Sequence, residues 1–130
     1  MTILSPPGWL RPKGYANGIA ATGRLVLTAG VVGWDEGESF VSDNLAGQFA
    51  QVLRNIVAIL AEGGAGPEHL VRMTCYVTSI DEYLESIAEI GDWWREIIGA
   101  HYPTMALVEV VRLIEPQCKV EIEATAVVPQ

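Results

Sequence analysis

With 130 residues, half of them hydrophobic and 18% charged, the chain has the composition of one globular domain spanning residues 1–130, not of a disordered segment. A formal net charge of −8, with eight lysines and arginines and no basic run, excludes the counterion-releasing surface of a nucleic-acid binder, and no apolar stretch nears the roughly 20 residues of a membrane span. Cys75, Cys118, His69 and His101 show no Cys-x-x-Cys or His-x-x-x-His spacing, so neither a disulfide framework nor a metal site is expected, and reduced thiols in the cytoplasm are the default.

Pro6, Pro7, Gly8, Pro12, Gly14 and Gly18 punctuate Ser5–Gly18, which predicts an extended arm, with a first edge strand inside residues 1–18. Arg24–Val32 is rich in β-branched residues and reads as a strand. Leu45, Phe49, Val52, Leu53, Ile56, Val57 and Leu60 then recur at three- and four-residue steps, one apolar stripe of a helix that Ser42 or Asp43 can cap and Gly63-Gly64 can stop. Leu70–Thr78 returns to strand chemistry. Ser79-Ile-Asp-Glu82 fits a capping box, opening a second helix whose stripe is Tyr83, Leu84, Ile87, Ile90, Trp94, Ile97 and Ile98 and whose stop is Gly99. Adjacent Trp93 and Trp94 must face different ways, one to the core and one to an interface. Strands over Thr104–Leu113 and Lys119–Val128 finish the chain, around a turn at Glu115-Pro116.

This order contains two β-α-β crossovers if the flanking strands are parallel, and right-handed crossovers advancing the same way put both helices on one sheet face. Val26, Val32, Val108, Val110 and Val127 are expected on one side of their strands, with Leu25, Leu27, Leu107, Ile122 and Val128 on the other. Both faces then need cover, which predicts an oligomer; the competing arrangement is a monomer whose N-terminal arm folds over the open face.

Gly14-Tyr-Ala-Asn-Gly18, Leu27-Thr-Ala-Gly30, Leu53-Arg-Asn-Ile56, Tyr102-Pro103, Val108-Glu-Val110, Arg112-Leu113 and Val120-Glu-Ile-Glu-Ala124, in that order across about a hundred residues, resemble the reactive-intermediate-deaminase (Rid, YjgF-type, endoribonuclease L-PSP-like) family. The resemblance implies an α+β chorismate-mutase-like mixed sheet with two helices on one face, packed as a barrel-like homotrimer with small-molecule clefts between subunits.

The resemblance also implies a cleft built from a tyrosine, backbone after a glycine strand, a glutamate, and an arginine that pairs with the substrate carboxylate. Tyr15 matches the tyrosine, Gly30 and Val31 the backbone, and Glu121 the glutamate, which would orient or activate a water. The arginine position holds Met105; Leu107 stands where cysteine is common, and Ile87 near a frequent asparagine. A methionine cannot present a bidentate fork to a carboxylate, so these three changes point to a larger and less polar ligand.

Glu121 and Glu123 alternate onto one strand face, where a solvated acidic edge is the plain alternative to chemistry. His101, before the last strand pair, is a further acid–base candidate, and Arg11 and Lys13 lie near Tyr15 as replacements for the missing cation. No phosphate-loop or dinucleotide fingerprint appears, so no cofactor is expected. Two functions compete: hydrolysis of an imine- or enamine-type metabolite, and non-catalytic capture of an apolar or aromatic one. Ribonuclease action, a third, is opposed by the charge and by the lack of a His/Lys cleavage pair.

Overall fold

The computed structural model describes all 130 residues, and its N-terminus is a hairpin instead of a free arm. Strand β1 (Thr2–Leu4) pairs antiparallel with β2 (Gly18–Ala20) around a long exposed loop. Gly14, at φ 79°, turns that loop in a conformation that side chains resist, and the Ala16 N–H then donates to the Pro103 carbonyl at 3.0 Å.

The strand expected over Arg24–Val32 forms in two pieces, β3 (Arg24–Leu27) and β4 (Val31–Val32). Thr28 causes the break. Its N–H donates to the Ala124 carbonyl at 2.9 Å, while its hydroxyl, not a backbone carbonyl, accepts the Ala124 N–H at 3.0 Å. A side-chain oxygen thus replaces a ladder acceptor, and Ala29 and Gly30 leave the pairing.

Helix α1 (Leu45–Glu62) buries the expected stripe from Leu45 to Leu60, leaving Val57 partly covered. Its cap is Asn44, not Ser42 or Asp43: Asn44 Oδ1 accepts the Gly47 N–H at 2.8 Å, and Ser42 instead holds the Asn44 N–H at 3.1 Å. A 3₁₀ turn (Pro67–His69) leads into β5 (Leu70–Val77). Ser79 Oγ accepts the Glu82 N–H at 3.1 Å, which is half of the expected capping box. The reciprocal half is missing because the Glu82 carboxylate pairs with Lys119 Nζ at 2.9 Å and accepts the Leu45 N–H at 3.3 Å. The second helix is two, α2 (Ile80–Glu85) and α3 (Ile87–Ile97), divided where the Ser86 N–H is shared between the carbonyls of Glu82 and Tyr83. Strand β6 (Thr104–Glu109) stops short of Leu113 because its partner β5 ends at Val77, whose carbonyl takes the final bond from Val110 at 2.8 Å. Strand β7 (Val120–Val128) closes the chain.

The strands lie in the order β3-β7-β5-β6, with β4 also on β7. Strand β7 runs antiparallel to β3, β4 and β5, and β5 runs parallel to β6. Both expected crossovers therefore join parallel strands: β4 to β5 through α1, and β5 to β6 through α2 and α3. The result is a mixed α+β fold with the core between one sheet face and the helices, where Met73, Cys75, Ile122 and Ala124 meet Phe49, Ile56, Ile90 and Trp94. Trp93 stays half-buried on the helix surface under the Arg54 guanidinium, 5.0 Å from its ring.

Register regroups the strand residues. Val26 joins Leu107, Ile122 and Val128 on the helix side, while Leu25 and Leu27 share the open face with Val108 and Val127. Alternation fixes sides within one strand only, and pairing sets the phase between strands. The open face is apolar at its flanks, where Leu25 and Leu27 are each 62% exposed, and polar at its centre, where Glu121, Glu123, Tyr76 and Thr74 stand. The N-terminal loop does not cover it; Ala16 bridges Thr104 at the β6 edge. No helix is long and apolar enough to cross a membrane.

Candidate functional site

The candidate residues gather in two places. The first is at the break in the glycine strand. Ala29 and Gly30 are exposed and their N–H groups are paired with no backbone carbonyl. The Glu121 carboxylate packs directly on Gly30, where a Cβ would collide with it, so glycine is required for this approach. Two unspent donors thus sit beside a half-buried carboxylate. Val31, next along, turns its side chain into the core opposite Ile122, leaving only its backbone for a ligand. Glu121 also borders a hollow of about 950 Å³ formed by residues 111–119 with Asp43 and Thr78. Glu123, one step along the face, accepts a hydrogen bond from the Tyr76 hydroxyl at 3.0 Å, and this bond holds the phenol above its ordinary pKa.

The second place is a cavity of about 450 Å³ between the β6 edge, α2–α3 and the Lys13–Tyr15 loop. Tyr15, Ile87, Met105 and Leu107 all line it. Sequence reasoning did not assign its aromatic wall, Phe49, Tyr83, Trp94 and Tyr102. Trp94 stacks on Tyr102 with centroids 5.8 Å apart and planes 6° from parallel, and Phe49 meets Tyr83 at 6.3 Å. Burial pushes the Tyr83 hydroxyl above the usual phenol range. The readable signal was the helical stripe Tyr83, Ile87, Ile90 and Trp94, which serves a core equally well.

The two places lie on opposite faces of the sheet. Met105 and Leu107 pair with Met73 and Cys75 on the helix side, whereas Glu121 pairs with Tyr76 on the open side. Strands β6 and β7 are separated by β5, about 10 Å from axis to axis. No single copy of the chain can bring Met105 and Glu121 to one ligand.

His101 belongs to neither place. Its Nε2 donates to the Leu70 carbonyl at 2.6 Å, its own carbonyl accepts the Trp94 Nε1–H at 3.1 Å, and it lines a neighbouring hollow with Arg11. His69 Nδ1 accepts the Gly66 N–H at 2.9 Å. Burial raises Cys75 to about 12 and Cys118 to about 11, which keeps both thiols protonated. No three His, Cys, Asp or Glu side chains converge as metal ligands would.

The family model for endoribonuclease L-PSP matches residues 10–128. A RutC family protein of Synechocystis is 34% identical over 117 residues, covering 88% of this chain and 86% of the relative. A 2-iminobutanoate/2-iminopropanoate deaminase of Salmonella typhimurium is 30% identical over 113 residues, covering 87% and 86%. Among solved structures, a Rid-family protein from Yersinia pestis superposes with a TM-score of 0.84 at 28% identity, covering 98% of each chain. A YjgF-family protein from Mycobacterium tuberculosis, 35% identical, superposes with a TM-score of 0.67 over 88% of this chain and 87% of its own.

Proposed function

Because the chain belongs to the Rid (YjgF, endoribonuclease L-PSP) family, we propose that it hydrolyses an imine- or enamine-type metabolite in a cleft between neighbouring copies of a homotrimer, without an arginine clamp. The observation that carries this reading is the Glu121 carboxylate set against the free backbone of Ala29–Gly30. The backbone donors hold the polar end of the ligand. Glu121 takes one proton from water as the water oxygen bonds to the imine carbon and passes it to the nitrogen. The second water proton, left on the new hydroxyl, moves to the nitrogen as the carbon–nitrogen bond breaks, so that ammonia leaves and a carbonyl remains; an enamine first takes a proton at carbon to become the imine. The neighbouring copy supplies Tyr15, Ile87, Met105 and Leu107, and no conservative exchange relates Met105 to the guanidinium that the resemblance leads one to expect.

A ribonuclease reading finds no support in the histidines, since both rings are engaged by backbone groups. A non-catalytic binding module is the second reading, favoured by the apolar lining of the cavity.

Freshly generated 2-imino acids, assayed for carbonyl and ammonia release, test the proposal. Wild type should hydrolyse 2-iminopropanoate slowly, Met105→Arg should raise that rate, and Glu121→Gln should lower turnover of any accepted imine at least about a hundredfold. Wild-type hydrolysis of 2-iminopropanoate as fast as by an arginine-bearing relative would refute the loss of the clamp. Turnover unchanged in Glu121→Gln would refute the role of the carboxylate, and saturable thermal stabilisation by aryl or acyl ligands with no turnover of any imine would favour the binding module.

A further inference from the structure

The cavity that contains Met105 holds no carboxylate. Lys13 and Arg95 are the only charged residues lining it, although the chain carries 16 acidic residues against eight lysines and arginines. Arg95 is exposed and pairs with Asp92 on its own helix, so its charge is met at the surface. Lys13 has no carboxylate partner, and its loop is turned into the cavity mouth by Gly14. Arg11, the other cation of the loop, lines only the neighbouring hollow, which Lys13 also borders.

Behind Lys13 the walls are ring faces and aliphatic groups. The parallel Trp94–Tyr102 stack, the Phe49–Tyr83 pair and the Ile87 and Met105 side chains leave no cation for a carboxylate deep inside, the phenols of Tyr15, Tyr83 and Tyr102 being neutral donors only. Aromatic faces carry partial negative charge and repel an anion, yet accept a flat ring well. A volume of about 450 Å³ far exceeds the needs of a three-carbon acid and lies within the range for drug-sized ligands.

We infer that this cavity takes an aryl-substituted 2-oxo or 2-imino acid, with the ring in the aromatic slot and the carboxylate at the mouth on Lys13, which supplies the cation that Met105 does not. The inference rests on the cleft proposed above for its chemistry, but binding of the stable oxo acid does not require turnover.

Calorimetric titration of the full-length protein with phenylpyruvate, pyruvate and the neutral ketone 1-phenyl-2-butanone tests it. Phenylpyruvate should bind at least about tenfold more tightly than pyruvate and about fivefold more tightly than the ketone, the size of a partly exposed charge-assisted contact. Lys13→Gln should erase the advantage over the ketone while leaving ketone affinity unchanged, and high salt should do the same. Gly91→Leu, which fills the cavity from a helical position and improves helix propensity, should abolish binding of both aryl compounds without lowering Tm. The inference is overturned if pyruvate binds as tightly as phenylpyruvate, or if Lys13→Gln keeps the full preference for the acid. Wild-type turnover separates it from the catalytic proposal: phenylpyruvate binding as expected in a wild-type protein that turns over no imine sinks the hydrolysis and supports the cavity assignment, whereas Glu121→Gln should lose turnover and keep phenylpyruvate binding.

Discussion

Cys75 lies on the helix side of β5 between Ile122 and Leu107, fully shielded from solvent. Its surroundings are apolar, so the ionised form is penalised and the thiol is pushed to about 12 from 9.0. The sign of the consequence follows from which state favours the proton. The folded chain holds it more tightly, so the contribution to stability is whole below pH 9 and is lost progressively as pH rises towards about 12. Three pKa units set an upper bound of about 4 kcal/mol on that loss. Urea unfolding at pH 8 and at steps above pH 9 should show stability falling with pH, and Cys75→Ala, though less stable at pH 8, should show a shallower fall. Thiol reagents at pH 8 should label the native protein far more slowly than the unfolded chain; rapid native labelling would contradict the burial assigned to both cysteines.

Between elements, Gly33, just after β4, lies tight against α1. A Cβ at Gly33 would fall 2.7 Å from the Gln48 carbonyl oxygen and 2.9 Å from its Cα. Gln48 cannot retreat, because its buried amide donates to the carbonyls of Ser42 and Gln117 and accepts the Lys119 N–H at 2.8 Å. Gly33→Ala should therefore cost about 1–3 kcal/mol in chemical denaturation, while Gly37→Ala in the exposed turn beyond should stay within about 0.5 kcal/mol. The same distinction between local and remote partners decides what could be read in advance. The stripe from Leu45 to Leu60 is legible because helical periodicity is a property of neighbouring residues. The break at Thr28 depends on Ala124, the diversion of Glu82 on Lys119, and the phase of Val26 on β7; each partner is remote in sequence, and no local pattern carries it. The candidate site divides in the same way. Resemblance to a family names Tyr15, Ile87, Met105, Leu107, Gly30 and Glu121 individually, but only pairing register shows that Met105 and Glu121 occupy opposite faces.

For the whole molecule, that opposition turns a stability question into a functional one. The flanks of the open face expose Leu25, Leu27 and Val108, which a partner would cover, while its polar centre carries Glu121. If a cleft draws its cavity from one copy and its carboxylate from the next, damage to the two parts must reside in different subunits of the same site. Glu121→Gln and Gly91→Leu should each abolish imine hydrolysis as pure assemblies, whose mass by light scattering should be three times that of the chain. Unfolded together and refolded as an equal mixture, the two inactive variants should recover activity, because some clefts then combine an intact cavity from the Glu121→Gln chain with an intact carboxylate from the Gly91→Leu chain. Random assembly makes that combination in roughly a quarter of clefts, so about a quarter of wild-type turnover is the expected recovery. A site contained within one chain gives none at any mixing ratio, and a dimer gives the same recovery at twice the chain mass, so activity and mass together separate the three arrangements.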